Sequence, residues 1–98
     1  MTFRVEISPR AARDLDRLYR YINAIDLHQA RAWFEGLEAL ILSLSENPAR
    51  GSVIPEDGRL RHLLYGKRQI YRVIYAIDEA NSVVTVVHIR HGAQAPLS

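Results

Sequence analysis

The sequence predicts an α+β fold: a helical hairpin packed on one face of a mainly antiparallel four-stranded sheet, in the order β-α-α-β-β-β. Three observations predict it. Residues 3–7 alternate apolar and charged side chains. Residues 9–46 repeat apolar side chains at three- and four-residue steps, with one polar break. Residues 59–91 are rich in β-branched and aromatic residues, interrupted by two short turns.

In the first strand Phe3, Val5 and Ile7 alternate with Arg4 and Glu6. Ser8 followed by Pro9 is a helix N-cap with proline at the first helical position. Ala12, Leu15, Leu18, Tyr19, Ile22 and Ile25 then define the apolar face of a helix over about 9–24. Its other face holds Arg10, Arg13, Asp14, Arg17 and Arg20. Asp26 with Gln29 resembles a capping box for a second helix over about 27–46. The apolar positions there are Ala30, Trp33, Phe34, Leu37, Leu40, Ile41 and Leu44, while Glu35, Glu38 and Glu46 form a solvated side. Asn47 and Pro48 end it.

Residues 47–58 contain two prolines and two glycines and are expected to form a loop. Three strands follow, over Arg59–Tyr65, Gln69–Asp78 and Val83–His91, separated by turns at Gly66-Lys67 and Glu79–Ser82. They are expected to form an antiparallel meander that the first strand joins at an edge or internally. Residues 92–98 read as a loose tail.

Ninety-eight residues make one domain, 1–98, with a thin stability margin that a partner or a second copy would widen. The 48% apolar and 24% charged composition is that of a folded globular chain. With no cysteine there is no disulfide framework, thiolate metal site or cysteine nucleophile, which fits the cytosol. The N-terminus is not a signal peptide, and no apolar run approaches the roughly 20 residues of a membrane helix. Net charge is +2 but uneven: −2 over residues 1–57 and +4 over 58–98. Such asymmetry suggests contact with nucleic acid or with an acidic partner; the alternative is a solvated basic sheet face.

Most site chemistries find no support. His88 and His91, three apart on a strand, point to opposite faces, and His62 has few acids near it, so no metal site is expected. There is no glycine-rich phosphate loop, and no serine sits on a strand-to-helix elbow. What remains is a basic cluster of Arg59, Arg61, His62, Lys67, Arg68, Arg72, His88, Arg90 and His91, interleaved with Tyr65, Tyr71 and Tyr75. Alternation puts Arg72 with Ile70 and Ile74 on one face and Tyr71, Val73 and Tyr75 on the other, and groups Arg90 with His88 and Val86. Cations beside aromatics can hold RNA and stabilise charge during phosphate cleavage, with a histidine moving the proton. Tyr71 and Tyr75 read as packing residues, as do Trp33 and Phe34.

Taken in order, SPRAARDLDRLYRYI at 8–22, LSENPARG at 44–51, YRVIYAID at 71–78 and VVTVVHIRHG at 83–92 resemble the RelE/ParE toxin superfamily over nearly the whole chain. The resemblance implies a cytoplasmic toxin held in a hetero-oligomer by a cognate antitoxin, with no cofactor or metal. RelE-like relatives cut mRNA on the ribosome, without metal; ParE-like relatives are inhibitors of DNA gyrase and not nucleases. Arg72 matches the arginine of the superfamily's YR strand motif, and Lys67 and Arg68 approximate the basic residues that precede it in the nucleases. After Arg90 the chain reads HGAQAPLS, without the basic and tyrosine residues of the nuclease ending. The resemblance therefore favours the ParE-like branch, with Arg59, Arg61, Arg68, Arg72, Arg90 and His91 as target-binding residues. Were the chain a nuclease, the resemblance would assign the chemistry to Arg72, Arg90, His91, Lys67 and Arg68, on the ribosome and its mRNA. A plain interaction module is the third possibility.

Overall fold

The computed structural model describes residues 2–67 and 70–92. Strand β1 is Arg4–Ile7 and helix α1 is Pro9–Tyr21. Ser8 caps α1 as expected, its hydroxyl accepting from Ala11 N–H at 3.0 Å. The same hydroxyl donates to the Val87 carbonyl at 3.1 Å, so the cap also ties the helix to the last strand. Ser8→Ala is expected to cost about 1 kcal/mol in urea-unfolding free energy, the usual value of a cap. Asn23, at φ 58°, ends the first helix in the left-handed conformation that asparagine tolerates, three residues before the expected break.

Helix α2, His28–Leu42, starts without the expected capping box: Leu27 is the N-cap residue and no side chain caps the end. Arg31 instead reaches back to the carbonyls of Ala24 at 3.0 Å and Ile25 at 2.5 Å, fixing the turn between the helices. After Leu42 the chain tightens into a 3-10 turn, Ser43–Ser45, which buries Leu44. A second such turn, Pro48–Arg50, follows.

The segment expected to be loop holds a short strand, β2, Ser52–Ile54, paired with β3, Asp57–Tyr65. Strands β4, Tyr71–Asp78, and β5, Val83–His91, complete a sheet of order β1-β5-β4-β3-β2. The sheet thus has five strands rather than four. The meander β3-β4-β5 is antiparallel, while β1 lies parallel to β5 at the edge, Arg4 opposite Val83. Gly66, at φ 92°, makes the turn after β3 in a region only glycine enters freely. The expected tail falls mostly outside the described residues, as do Arg68 and Gln69.

The main core lies between the helices and one sheet face. Ala11, Leu18, Phe34, Leu37, Ile41 and Leu44 meet Val73, Tyr75, Val84, Val86 and Ile89. Tyr19 and Phe34 join the two helices edge-on at 4.9 Å. Strict alternation on β5 fails at one point. Ile74 pairs with His88 but Tyr75 pairs with Val86, so Val87 is an extra, bulged residue. The bulge turns Val86 toward the helices, away from the face on which alternation groups it with His88 and Arg90. Ile54 and Ile74 are fully buried outside the main cluster, under the β2–β3 hairpin on the other face.

Candidate functional site

Two places concentrate cations. The first is the helix-free face of the sheet. Arg72 and Arg90 are partners across β4 and β5, so their side chains share that face. The Arg72 guanidinium, however, is held by Glu56 from the tip of the β2–β3 hairpin, at 2.8 and 3.0 Å. Its Nε–H donates to His62 Nδ1 at 3.0 Å. Both ends of this ion pair are about 15% exposed, at 15% and 14%. The hydrogen bonds from Arg72 hold the Glu56 carboxyl down at a pKa of about 2. Burial and the adjacent Arg72 charge push His62 below its usual value, which keeps Nδ1 an acceptor.

The second is a groove of about 600 Å³ between α1 and the ends of β4 and β5. Arg10, Asp14, Arg17 and Tyr21 line it from the helix, and Ile70, Tyr71, His88, Arg90 and His91 from the sheet. Strand β1 stops at Ile7, which leaves the far end of β5 without a strand neighbour on that side. Asp14 takes the strand's place: its Oδ2 accepts from Ile89 N–H at 3.0 Å and from His88 Nδ1 at 2.5 Å. Arg10 Nη2 lies 3.3 Å from His88 Nε2. An arginine only donates, so Nε2 is the acceptor, and the proton sits on Nδ1. Both ring nitrogens of His88 are thus engaged, one by the Asp14 carboxylate and the other by the Arg10 guanidinium.

Removing the clamp has a defined cost. Asp14→Ala leaves the Ile89 N–H and His88 Nδ1–H without their acceptor and is expected to lower stability by about 1–3 kcal/mol. Asp14→Asn retains an oxygen in the same place, and urea unfolding should find it close to the parent.

An aromatic chain runs from the groove into the fold: His91 meets Tyr71 at 5.1 Å, and Trp33 meets Tyr71 at 5.4 Å and Tyr65 at 5.0 Å, all edge-on. Tyr65 donates to the Trp33 carbonyl at 2.6 Å. The Gly92 N–H donates to the Ile70 carbonyl, pinning the end of β5 across the entry to β4. Burial raises Tyr65 and Tyr71 above the ordinary tyrosine value, so both stay protonated at neutral pH.

The residues singled out in the sequence do not form one cluster. Arg61 pairs opposite Tyr75 on the helix side, where it donates to the carbonyls of Ala49 at 3.2 Å and Gly51 at 2.7 Å. Arg59 is exposed at the hairpin, where it forms an ion pair with Asp57 at 2.9 Å. Lys67 is exposed in the turn beyond β3, and Arg68 lies outside the described residues. Arg90 and His91 both line the groove, with His88. The histidines at 88 and 91 pair opposite Ile74 and Tyr71 respectively, hence on opposite faces, yet both reach this strand-end groove. Among the described residues no three His, Cys, Asp or Glu gather to hold a metal. Among those residues, too, no helix is long and apolar enough to cross a membrane. Arg10 and Arg17 are the groove residues that segment-by-segment charge counting hides, because the nine acids of residues 1–57 outweigh the seven cations there. Their spacing on α1 is the signal that finds them.

A helical hairpin on a mixed sheet, closed by a parallel first strand and flanked by a basic groove, defines the RelE/ParE class of small toxins. The family model described as the ParE toxin of the type II toxin–antitoxin system parDE matches residues 5–96. The chain therefore belongs to the ParE toxin family, and it is a toxin of the type II toxin–antitoxin kind. No curated protein matches its sequence. Among solved structures, the toxin–antitoxin complex RelBE2 from Mycobacterium tuberculosis is similar at TM-score 0.69 and 21% identity, over 93% of this chain and 99% of that one. The chromosomal ParDE system from P. aeruginosa is similar at TM-score 0.72 and 18% identity, over 92% and 96%. A mutant of E. coli toxin RelE in the free state is similar at TM-score 0.66 and 16% identity, over 95% and 86%. At these identities the likeness is one of fold.

Proposed function

We propose that this chain is a single ParE-like toxin domain, residues 1–98, that inhibits DNA gyrase in the cytoplasm. Binding of a cognate antitoxin neutralises it. The observation that carries the choice of target is the Glu56–Arg72 ion pair. A nuclease of this class would need Arg72 to face a scissile phosphate. Here a carboxylate already fills the guanidinium's bidentate edge and would repel a phosphate beside it. His88, with both nitrogens engaged, is not placed to move a substrate proton. The chain thus acts by binding rather than by catalysis. Arg59, Arg90 and His91 are the target-binding residues, with Arg68 outside the described residues, while Arg61 fixes the loop at 49–51 and Arg72 the hairpin that carries Arg59. The parDE description of the family supports the same branch.

An mRNA endonuclease is the second reading. The register that places Arg72 and Arg90 side by side on the helix-free face favours it. One experiment separates the two. The chain is induced alone in bacteria while plasmid supercoiling and mRNA integrity are followed together. Growth arrest with altered topology and intact mRNA is the expected result. Arrest with translation-dependent mRNA cleavage transfers the function to the nuclease reading. No arrest leaves a plain binding module.

A further inference from the structure

Helix α1 carries four arginines, Arg10, Arg13, Arg17 and Arg20, all exposed. At 100° per residue they fall within about a quarter turn of one another, diametrically opposite the core-facing Leu15 and Ile22. Consecutive members are three or four residues apart, so three like-charged pairs sit within reach along one line. Such pairs repel. Arg10 also opposes the helix dipole, standing in the first turn, where partial positive charge already accumulates and no acid is present; Arg20, in the last turn, agrees with it. The two acids of the helix do little to relieve it. Asp14 is turned inward to Ile89 and His88. Asp16 pairs with Arg20 in an exposed bridge. Arg13 and Arg17 have no hydrogen bond or ion pair among the described residues.

A solvated helix face ordinarily alternates signs. One that gathers a single sign against its own repulsion is stabilised when an anion is added. The form of the surface then selects the anion. The ridge is straight, about 15 Å long from Arg10 to Arg20 at 1.5 Å per residue. A duplex presents a phosphate on each strand about every 3.4 Å of axis, so about four of one strand fit along it. Every cation is an arginine, whose planar fork pairs with phosphate oxygens. No apolar side chain interrupts the line, as the buried centre of a protein–protein interface would require. The exposed Tyr21 lies past the end of the line, so no aromatic stands between the arginines for successive unstacked bases, as a single-strand site would require. We infer that the Arg10–Arg13–Arg17–Arg20 ridge of α1 docks on the phosphate backbone of duplex DNA without reading its sequence. This deepens the gyrase reading, since gyrase works on DNA, and it rests on that reading for its biological setting.

The test needs no gyrase, so its failure is separable from failure of the target. The free toxin is titrated against a fluorescent duplex of about 20 base pairs across a salt series starting near 50 mM. Binding should weaken with salt at a logarithmic slope of about −3, the value for three to four phosphates neutralised. Arg13→Gln with Arg17→Gln, both exposed, should bring the slope to about −1 while circular dichroism stays unchanged. Arg4→Gln, at an exposed ion pair on β1, should leave binding and slope as in the parent. The inference is overturned by undetectable binding at the lowest salt, or by an unchanged slope in the double variant. Preference for a single strand of equal length overturns it too. Competition by polyglutamate as effective as by unlabelled duplex does the same, and makes the ridge a site for an acidic protein.

Discussion

Gly51→Ala is expected to destabilise the fold by more than about 3 kcal/mol, beyond the usual cost of overpacking. The cause is space rather than backbone freedom, because Gly51 has an extended conformation, φ −78° and ψ 153°, that any residue adopts. A β-carbon there would overlap the Tyr75 hydroxyl and sit 2.6 Å from the His62 carbonyl. Neither neighbour can withdraw. Tyr75 is fully buried, its hydroxyl donating to the Pro48 carbonyl at 2.5 Å and accepting from Gly51 N–H at 3.1 Å. The His62 carbonyl belongs to β3. Tyr75→Phe alone should cost about 1–3 kcal/mol, for two buried groups left unpaired. The double variant should recover only part of the Gly51→Ala loss, because the β3 carbonyl stays in the way. Urea unfolding of the three variants tests the non-additivity.

Acid is expected to loosen the β2–β3 hairpin in two stages. His62 is depressed below its usual 6.5, so its neutral form is the one the fold stabilises. Its contribution is complete above 6.5 and declines as pH falls through the lower folded value, when protonated Nδ1 can no longer accept from Arg72. Glu56 is depressed from 4.5 to about 2. Its contribution is complete above 4.5 and is lost as pH falls toward 2, where the carboxyl takes a proton and releases the guanidinium. Glu56→Gln should erase the second stage and lower the neutral-pH melting temperature by several degrees. Arg72→Met should shift the second stage up toward the ordinary carboxylate value, weaken the first, which burial still maintains, and cost more, since it strands the carboxylate and the histidine together. Arg59→Met, which breaks an exposed pair, should change little. Thermal melts from pH 8 to pH 2 read all of these effects.

These two sites mark the boundary of what the residues disclose by themselves. Local signals carried well. Ser8-Pro9 started α1, and valine density gave Val83–His91 with the bounds the structure has. Interactions between distant residues did not carry. Asp26 has the right chemistry for a cap, yet Arg31 fixes that turn through two carbonyls. The β2 strand is three residues long and bounded by glycine and proline, so its pairing with β3, and not its composition, makes it a strand. The Val87 bulge leaves no mark on a run of valines, since either alternation places an apolar residue inward. Arg61 and Arg72 read as surface cations because their acceptors are backbone carbonyls ten or more residues away and the single carboxylate of Glu56. The α1 arginines were visible as a helix face. Their importance follows only when Asp14 is seen to turn away from them.

The place of β1 has a consequence for timing. Strand β5, last made of the described strands, is the only one that β1 touches, with Arg4 opposite Val83. Asp14 of α1 likewise waits for His88 and Ile89. The amino-terminal strand and helix therefore leave the ribosome long before the strand that receives them, and loop closure across most of the chain must precede their docking. Until then the half-made protein exposes the apolar face of α1 and the edge of an unfinished sheet. Translation itself thus delays closure of the fold, which waits until β5, the last of the described strands, is free to move between β1 and β4.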